Sequence, residues 1–384
     1  MSRTLLTHAR VVFATEVRDN AAVLIEDGTI AAVDPESVGS ATVIDLSGRL
    51  LIPGMIDLHC DALEKEVEPR PNVHFPLDFA CAQADKRNAA AGITTVFHAL
   101  SFANHELGAR NNAFAAEIAR AVHAWQPHAL VNNRVHARYE VTDETAPPVL
   151  ADLLENGYAH LISFMDHTPG QGQFKNVAAF RAYLARTYRK SDAELDDILA
   201  NKLASAQNAF ARMEAVAAVA GRHGVSIASH DDDSPDKVDT VAALGAVISE
   251  FPVNLETARA AKAKGLATLF GAPNILRGRS QSGSMRALDA VIEGVADCLC
   301  ADYSPAALLP SAMRLPELAG IGLHEAIALV TRTPAHAAGL TDRGEIAVGK
   351  RADLVAVETL GGLPQAERVW MRGVPVLSAH FDHA

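Results

Sequence analysis

The chain has 384 residues, 49% hydrophobic and 21% charged, with a formal net charge of −12 and four cysteines. This is the balance of a globular protein with a large core, and it argues against disorder outside the termini. The acidic surplus excludes a global basic field for nucleic acid or an anionic membrane, so an anionic substrate has to be met by local arginines, a lysine or a metal ion.

Residues 4–50 read as short strands with tight turns: the apolar stretch Val23-Leu-Ile25 breaks at Glu26-Asp27-Gly28, a hairpin signal, and a second turn falls at Ser47-Gly48. Eight short apolar runs follow, beginning at Gly54, Gly92, Val131, His160, Gly224, Gly245, Gly265 and Asp297. Most are continuous rather than alternating, as strands buried on both faces are. Helical stretches separate them, such as Phe79 to Ala91, Asn112 to Trp125 and Leu255 to Lys264. Ser234-Pro235 opens another with an N-cap serine and an N1 proline, and Ser191-Asp-Ala-Glu194 reads as a capping box. The gap between His167 and His230 has room for two helices. Past residue 343 the pattern returns to strands, with Asp353 to Val357 and a turn at Arg372-Gly373. The expected fold is therefore α/β: a (β/α)₈ TIM-like barrel over residues 51–340, with a small composite β-sandwich domain formed by both chain ends, residues 1–50 and 341–384. No Gly-x-Gly-x-x-Gly turn favours an open dinucleotide-binding sheet.

No window reaches the apolar length of a membrane span, and Met1 to Arg10 holds no signal-peptide core. Cys60, Cys81, Cys298 and Cys300 are too few for a disulfide framework, so a cytoplasmic enzyme is expected, and a homo-oligomer remains open.

The apolar runs end in ligand-type side chains: His59 and Asp61, Glu140, Asp166 with His167, His230 with Asp231, Glu250, and Asp302. Strand C-termini are where catalytic groups converge in this barrel, and histidines with carboxylates suit zinc or a similar divalent ion. Blander readings compete. Asp61 fits a partner that orients His59 as well as a ligand; His167 lies in a turn sequence; Asp302 fits a helix cap; Glu140 fits an ion pair with Arg138; and Asp231-Asp-Asp233 resembles a solvated loop. His74, His105, His123, His128 and His324 fall in helices or loops and default to structural roles, with His98 and His136 intermediate.

Leu51-Ile-Pro-Gly-Met-Ile-Asp-Leu-His59, together with Thr333-Pro-Ala-His-Ala-Ala-Gly-Leu-Thr-Asp-Arg-Gly-Glu-Ile-Ala-Val-Gly-Lys-Arg-Ala-Asp-Leu-Val355, resembles the amidohydrolase superfamily. His59-x-Asp61, Glu68-Pro-Arg-Pro71, Asp166-His-Thr-Pro-Gly-Gln171, Ala228-Ser-His-Asp-Asp232, Glu250-Phe-Pro252 and Ala301-Asp-Tyr303 are similar to a diphosphatase subgroup of phosphonate utilisation. The subgroup acts on α-D-ribose 1-methylphosphonate 5-triphosphate. Gln281 and Ser284 stand where it carries histidine and asparagine.

The resemblance implies hydrolysis of a sugar triphosphate to pyrophosphate and the 5-phosphate. One or two divalent ions, zinc first and manganese or iron as alternatives, would be held by His59, Asp61, Glu140, His167 and His230, activating water for attack on the α-phosphorus. Asp302 is the candidate general base, and Lys65, Arg70, Arg277, Arg279 and Gln281 are the candidate substrate contacts. Two rivals stand beside this reading: hydrolysis of a C–N bond in an N-acyl amino acid or cyclic amide, and a metal-free scaffold on the same fold. Buried ligand-type groups argue against the scaffold.

Overall fold

The computed structural model describes residues 3–104, 111–168, 196–197, 200, 203–280 and 284–381. The chain opens with β1 (Arg3–Val12), β2 (Val17–Glu26), β3 (Thr29–Val33), β4 (Thr42–Asp45) and β5 (Leu50–Pro53), and it ends with β14 (Leu354–Leu360), β15 (Leu363–Met371) and β16 (Val374–Ser378). These form one eight-stranded sheet in the order β16-β15-β14-β5-β1-β2-β3, with β4 also on β1. Asp27 and Gly28 both take positive φ, as do Arg372 and Gly373, which is the backbone that a two-residue hairpin between twisted strands requires.

Two-residue alternation gives this sheet two apolar faces. Leu51, Leu354, Ala356 and Trp370 enter a cluster with Leu6, Val23 and Ile25, so the sheet folds over its own core. Ile52, Val355, Val357 and Val369 point the other way and pack with residues of the barrel. The chain passes from sheet to barrel through Gly54, whose amide donates to the Asp353 carbonyl at 2.7 Å. A side chain there would place its Cβ 2.8 Å from Thr94 Cβ, which no ordinary packing allows.

The middle of the chain supplies β6 (Met55–Cys60), β7 (Ile93–Phe102), β8 (Asn132–Glu140), β9 (Leu161–Met165), β10 (Ser226–His230), β11 (Ala246–Glu250), β12 (Ala267–Gly271) and β13 (Cys298–Cys300). All seven neighbouring pairs are parallel and in sequence order. The ring closes where the Asp302 amide donates to the His59 carbonyl (2.9 Å) and the Asp61 amide donates to the Asp302 carbonyl (2.8 Å). The fold is thus a (β/α)₈ barrel with a sheet built from both chain ends.

Ile56, Leu58, Phe97, Leu161, Ala228, Ile248, Leu269, Cys298 and Cys300 fill the barrel's interior cluster. The helices outside are capped as the sequence suggests: Ser234 accepts from the Lys237 amide (3.3 Å) and Asn254 from the Thr257 amide (2.9 Å). Helix Ala209–Arg222 accounts for part of the gap between His167 and His230, whereas the capping box at residues 191–194 lies outside the described residues. Arg343 enters the barrel's other end, bonding Thr95 Oγ1 (3.0 Å) and Asn132 Oδ1 (3.2 Å) at the starts of β7 and β8. All four cysteines are buried free thiols. Among the described residues no helix is long and apolar enough to cross a membrane.

Candidate active site

The backbone at the C-terminal mouth departs from regular strand geometry where the ligand-type residues sit. On β6 the Cα partners run from Asp57 opposite Val96 to Cys60 opposite His98, so Leu58 and His59 share the space facing Phe97. Such a bulge re-aims a side chain, and here it turns His59 inward while Leu58 stays in the barrel core. The buried Asp57 carboxylate holds the bulge by accepting from the His59 amide (3.1 Å) and the Ala301 amide (3.0 Å). Burial pushes Asp57 up to about 7 even against those two bonds.

Asp231, Phe251 and Asp302, just beyond β10, β11 and β13, all have left-handed backbones with φ of 53–54°. Aspartate tolerates that region; phenylalanine does so only under strain that the surroundings impose. The Phe251 ring stands edge-on to His59 (5.0 Å between centroids) and to His230 (5.2 Å), wedging both imidazoles.

Glu250 organises the two histidines. It is fully buried, and its carboxylate lies 3.3 Å from His59 Nδ1 and 3.2 Å from His230 Nδ1. Burial alone would raise its pKa, but the surrounding imidazoles of His136, His59 and His230 outweigh burial and hold it well below the usual carboxylate range. An ionised Glu250 accepting at both Nδ1 atoms orients both rings and turns each Nε2 outward. There His59 Nε2 lies 3.4 Å from Asp61 Oδ1, and His230 Nε2 lies 3.4 Å from Arg138 Nη2.

Burial opposes charge on His59, yet Glu250 and Asp61 raise it to about 10. Asp302 completes a set of three with His59 and Asp61, its pKa pushed to about 6 by burial and by the negative charge of Asp61. His136 sits beneath, fully buried, with Nδ1 3.0 Å from the Leu58 carbonyl and Nε2 2.8 Å from Ser163 Oγ; burial lowers it to about 3, so it is neutral.

Of the sequence candidates, His59, Asp61, His230 and Asp302 converge directly. Glu140 and His167 form a second pair beside them, with His167 Nδ1 2.9 Å from Glu140 Oε2 and its ring 6.4 Å from that of His230. Glu140 also accepts from Thr142 Oγ1 at 2.7 Å, so it does not pair with Arg138, which bonds Asp61 Oδ1 at 3.0 Å. Lys65, Arg70, Arg277 and Arg279 are exposed, with Arg277 reaching Tyr303 Oη at 3.3 Å next to Asp302; Gln281 and His105 lie outside the described residues. Asp232 is buried under the hydroxyls of Ser229 and Ser249, a structural tie between β10 and β11.

Three residues outside the sequence-derived set of ligands, base and substrate contacts belong to the cluster: Glu250, noted at its strand end without a role, His136, left intermediate, and Arg138, considered only as a partner of Glu140. Glu250 ends its strand as the others do. The signal for the other two was the alternation Arg134-Val-His136-Ala-Arg138-Tyr-Glu140 on β8, whose odd-step residues Val135, Ala137 and Tyr139 pack outward in the helix-side core.

The donor chemistry fits a divalent cation. Two imidazoles turn Nε2 outward, and ligand atoms of His59, Asp61 and Asp302 lie within 4.8 Å of one another. A cation bound there would take the place of the proton that Glu250 and Asp61 favour on His59. The guanidinium of Arg138 already lies against Asp61 and His230 Nε2, so the cluster attracts positive charge. Glu250, at the Nδ1 side, is placed as the carboxylate that orients both imidazoles.

Residues 50–378 match the model of the amidohydrolase family, and the chain belongs to that family. Among its relatives, the α-D-ribose 1-methylphosphonate 5-triphosphate diphosphatase of Escherichia coli strain K12 is 34% identical over 374 residues, covering 96% of this chain and 99% of that protein. The fold is similar to that of N-isopropylammelide isopropylaminohydrolase from Burkholderia multivorans, with a TM-score of 0.66 at 17% identity over 98% of both chains. It is likewise similar to dihydropyrimidinase from Brevibacillus agri, with a TM-score of 0.64 at 14% identity, covering 98% of this chain and 95% of that one. The protein is thus a hydrolase of this family with a candidate metal site.

Proposed function

We propose that the chain is a diphosphatase that cleaves the α–β phosphoanhydride of α-D-ribose 1-methylphosphonate 5-triphosphate, or of a closely related sugar 5-triphosphate, releasing pyrophosphate. The observation that carries this reading is the 34% identity with the E. coli diphosphatase along 96% of the chain. His59, Asp61 and His230 would hold the ion, ligand atoms of His59 lying within 4.8 Å of Asp61 in one grouping and of His230 in another, with Glu140 and His167 available to a second ion beside them. A divalent ion bound there lowers the pKa of water and offsets charge on phosphoryl oxygens, zinc suiting the donors first and manganese or iron next.

Asp302 serves as general base. Burial holds its pKa near 6, so it is ionised at neutral pH yet basic enough to accept a proton. As the water oxygen bonds the α-phosphorus, its proton passes to Asp302, and the bond to the bridging oxygen breaks with both electrons leaving on pyrophosphate. Arg277 and Arg279, exposed just past β12, are the outer contacts for the triphosphate, with Gln281 near them in sequence and Lys65 and Arg70 following β6.

Metal-loaded protein incubated in parallel with sugar 5-triphosphates, N-acyl amino acids and cyclic amides tests the reading. Pyrophosphate release from a triphosphate is the expected result. Turnover confined to the amides would replace it with C–N hydrolysis.

A further inference from the structure

Every second residue of β8 from Arg134 to Glu140 is charged or a histidine, an inward face unlike the apolar Ile56, Leu161, Ile248 and Leu269 of the other strands. Arg138 is the cation of that face at the mouth and is only 7% exposed. The other arginines buried to this degree among the described residues, Arg343 and Arg351, belong to the opposite end of the barrel, where they pair with Asp342 and Asp353.

A buried guanidinium has five N–H donors to satisfy. Those of Arg138 reach Asp61 Oδ1 at 3.0 Å and, at a longer 3.4 Å, His230 Nε2, while its Nε is buried with no hydrogen-bond partner among the described residues. Its one carboxylate partner is shared with His59. The guanidinium thus offers fork-shaped donors in a site whose carboxylates (Asp61, Glu140, Asp231, Glu250 and Asp302) repel an anion. Lys65, Arg70, Arg277 and Arg279 are all exposed and cannot supply a desolvated cation beside Asp302.

We infer that Arg138 is a substrate-positioning residue: its guanidinium grips a phosphoryl oxygen beside Asp61 and Asp302, within the barrel mouth. This rests on the diphosphatase reading for the identity of the natural ligand, though not for the binding of a phosphate group as such. A planar fork meets two oxygens of one phosphoryl group, which a lysine ammonium cannot do.

The test is pyrophosphate affinity by calorimetry on metal-loaded wild type, R138M and R138K, with metal content and thermal stability measured on each. The expected result is a loss of about 10- to 100-fold in pyrophosphate affinity in R138M at unchanged metal content, R138K falling between. With a sugar triphosphate as substrate, KM rises in R138K more than kcat falls. Equal pyrophosphate affinity in wild type and R138M would overturn the inference. So would tighter metal retention in R138M without any change in anion affinity, since Arg138 would then only balance the charge of the ligand set. Should R138M fail to fold, an R138K protein that binds pyrophosphate like wild type and keeps its KM would overturn it equally. Binding of pyrophosphate through Arg138 without triphosphate hydrolysis would leave this inference standing and remove the proposed reaction instead.

Discussion

Replacing Asp302 with asparagine is expected to lower triphosphate hydrolysis by about 10²- to 10⁴-fold at equal metal loading, the range a positioned general base supplies, with the fold intact. Asparagine keeps the size of the side chain and its left-handed backbone, which Asp and Asn both tolerate, so a loss of activity reports chemistry and not folding. The pH profile carries the same information. Burial and the charge of Asp61 raise Asp302 to about 6, so the base is protonated and idle below that value, and kcat/KM rises as pH passes through it and levels off above. A bound cation favours the ionised form and moves this limb to lower pH, never higher. In D302N the limb disappears. A D302N enzyme with wild-type activity and an unchanged acid limb would assign the proton transfer to another group.

The second large effect is at Glu250. Its carboxylate is fully buried and faces Nδ1 of both His59 and His230, so Glu250→Gln removes the acceptor that orients both rings. Breaking a buried charged cluster by deleting one partner costs about 3–5 kcal/mol, and the loss of an orienting carboxylate weakens metal binding about 10- to 100-fold. The expected outcome is a protein that unfolds at lower temperature and gives up its metal to a chelator at lower concentration than wild type. Glutamine keeps the shape, so an E250Q protein with wild-type melting temperature and metal retention would show that Glu250 neither orients nor charges the site.

Much of this architecture was legible because parallel barrel strands are buried on both faces and therefore read as unbroken apolar runs. Gly54, Gly92, Gly245 and Gly265 sit near the strand starts, and His59, Glu140, His230 and Glu250 at or beside the ends, so the polar mouth emerged from position alone. The end sheet was legible from its turns, since Asp27-Gly28 and Arg372-Gly373 allow little but a hairpin. Its strand order was not: β5 lies between β1 and β14, residues some three hundred positions from one another, and nothing local encodes that pairing.

The inner layer of the site was hidden for a different reason. A single bulge at Leu58 and His59 lets both neighbours face the barrel interior, and one-residue shifts of that kind leave no mark on an apolar pattern. Arg138 and His136 lie within a run that looks mixed until it is read with period two. Glu140 is the instructive case: of its two readings from the sequence, metal ligand and partner of Arg138, the ion pair is replaced by contacts to His167 and Thr142 while Arg138 turns to Asp61.

The central claim is attack at the α-phosphorus of a sugar 5-triphosphate, and the most direct measurement is the reaction of metal-loaded protein in ¹⁸O-labelled water, with the products weighed by mass spectrometry. One labelled oxygen in the sugar 5-phosphate and none in the pyrophosphate is the result expected. Label in pyrophosphate, release of orthophosphate in its place, or no cleavage of the triphosphate by folded, metal-replete protein would contradict it.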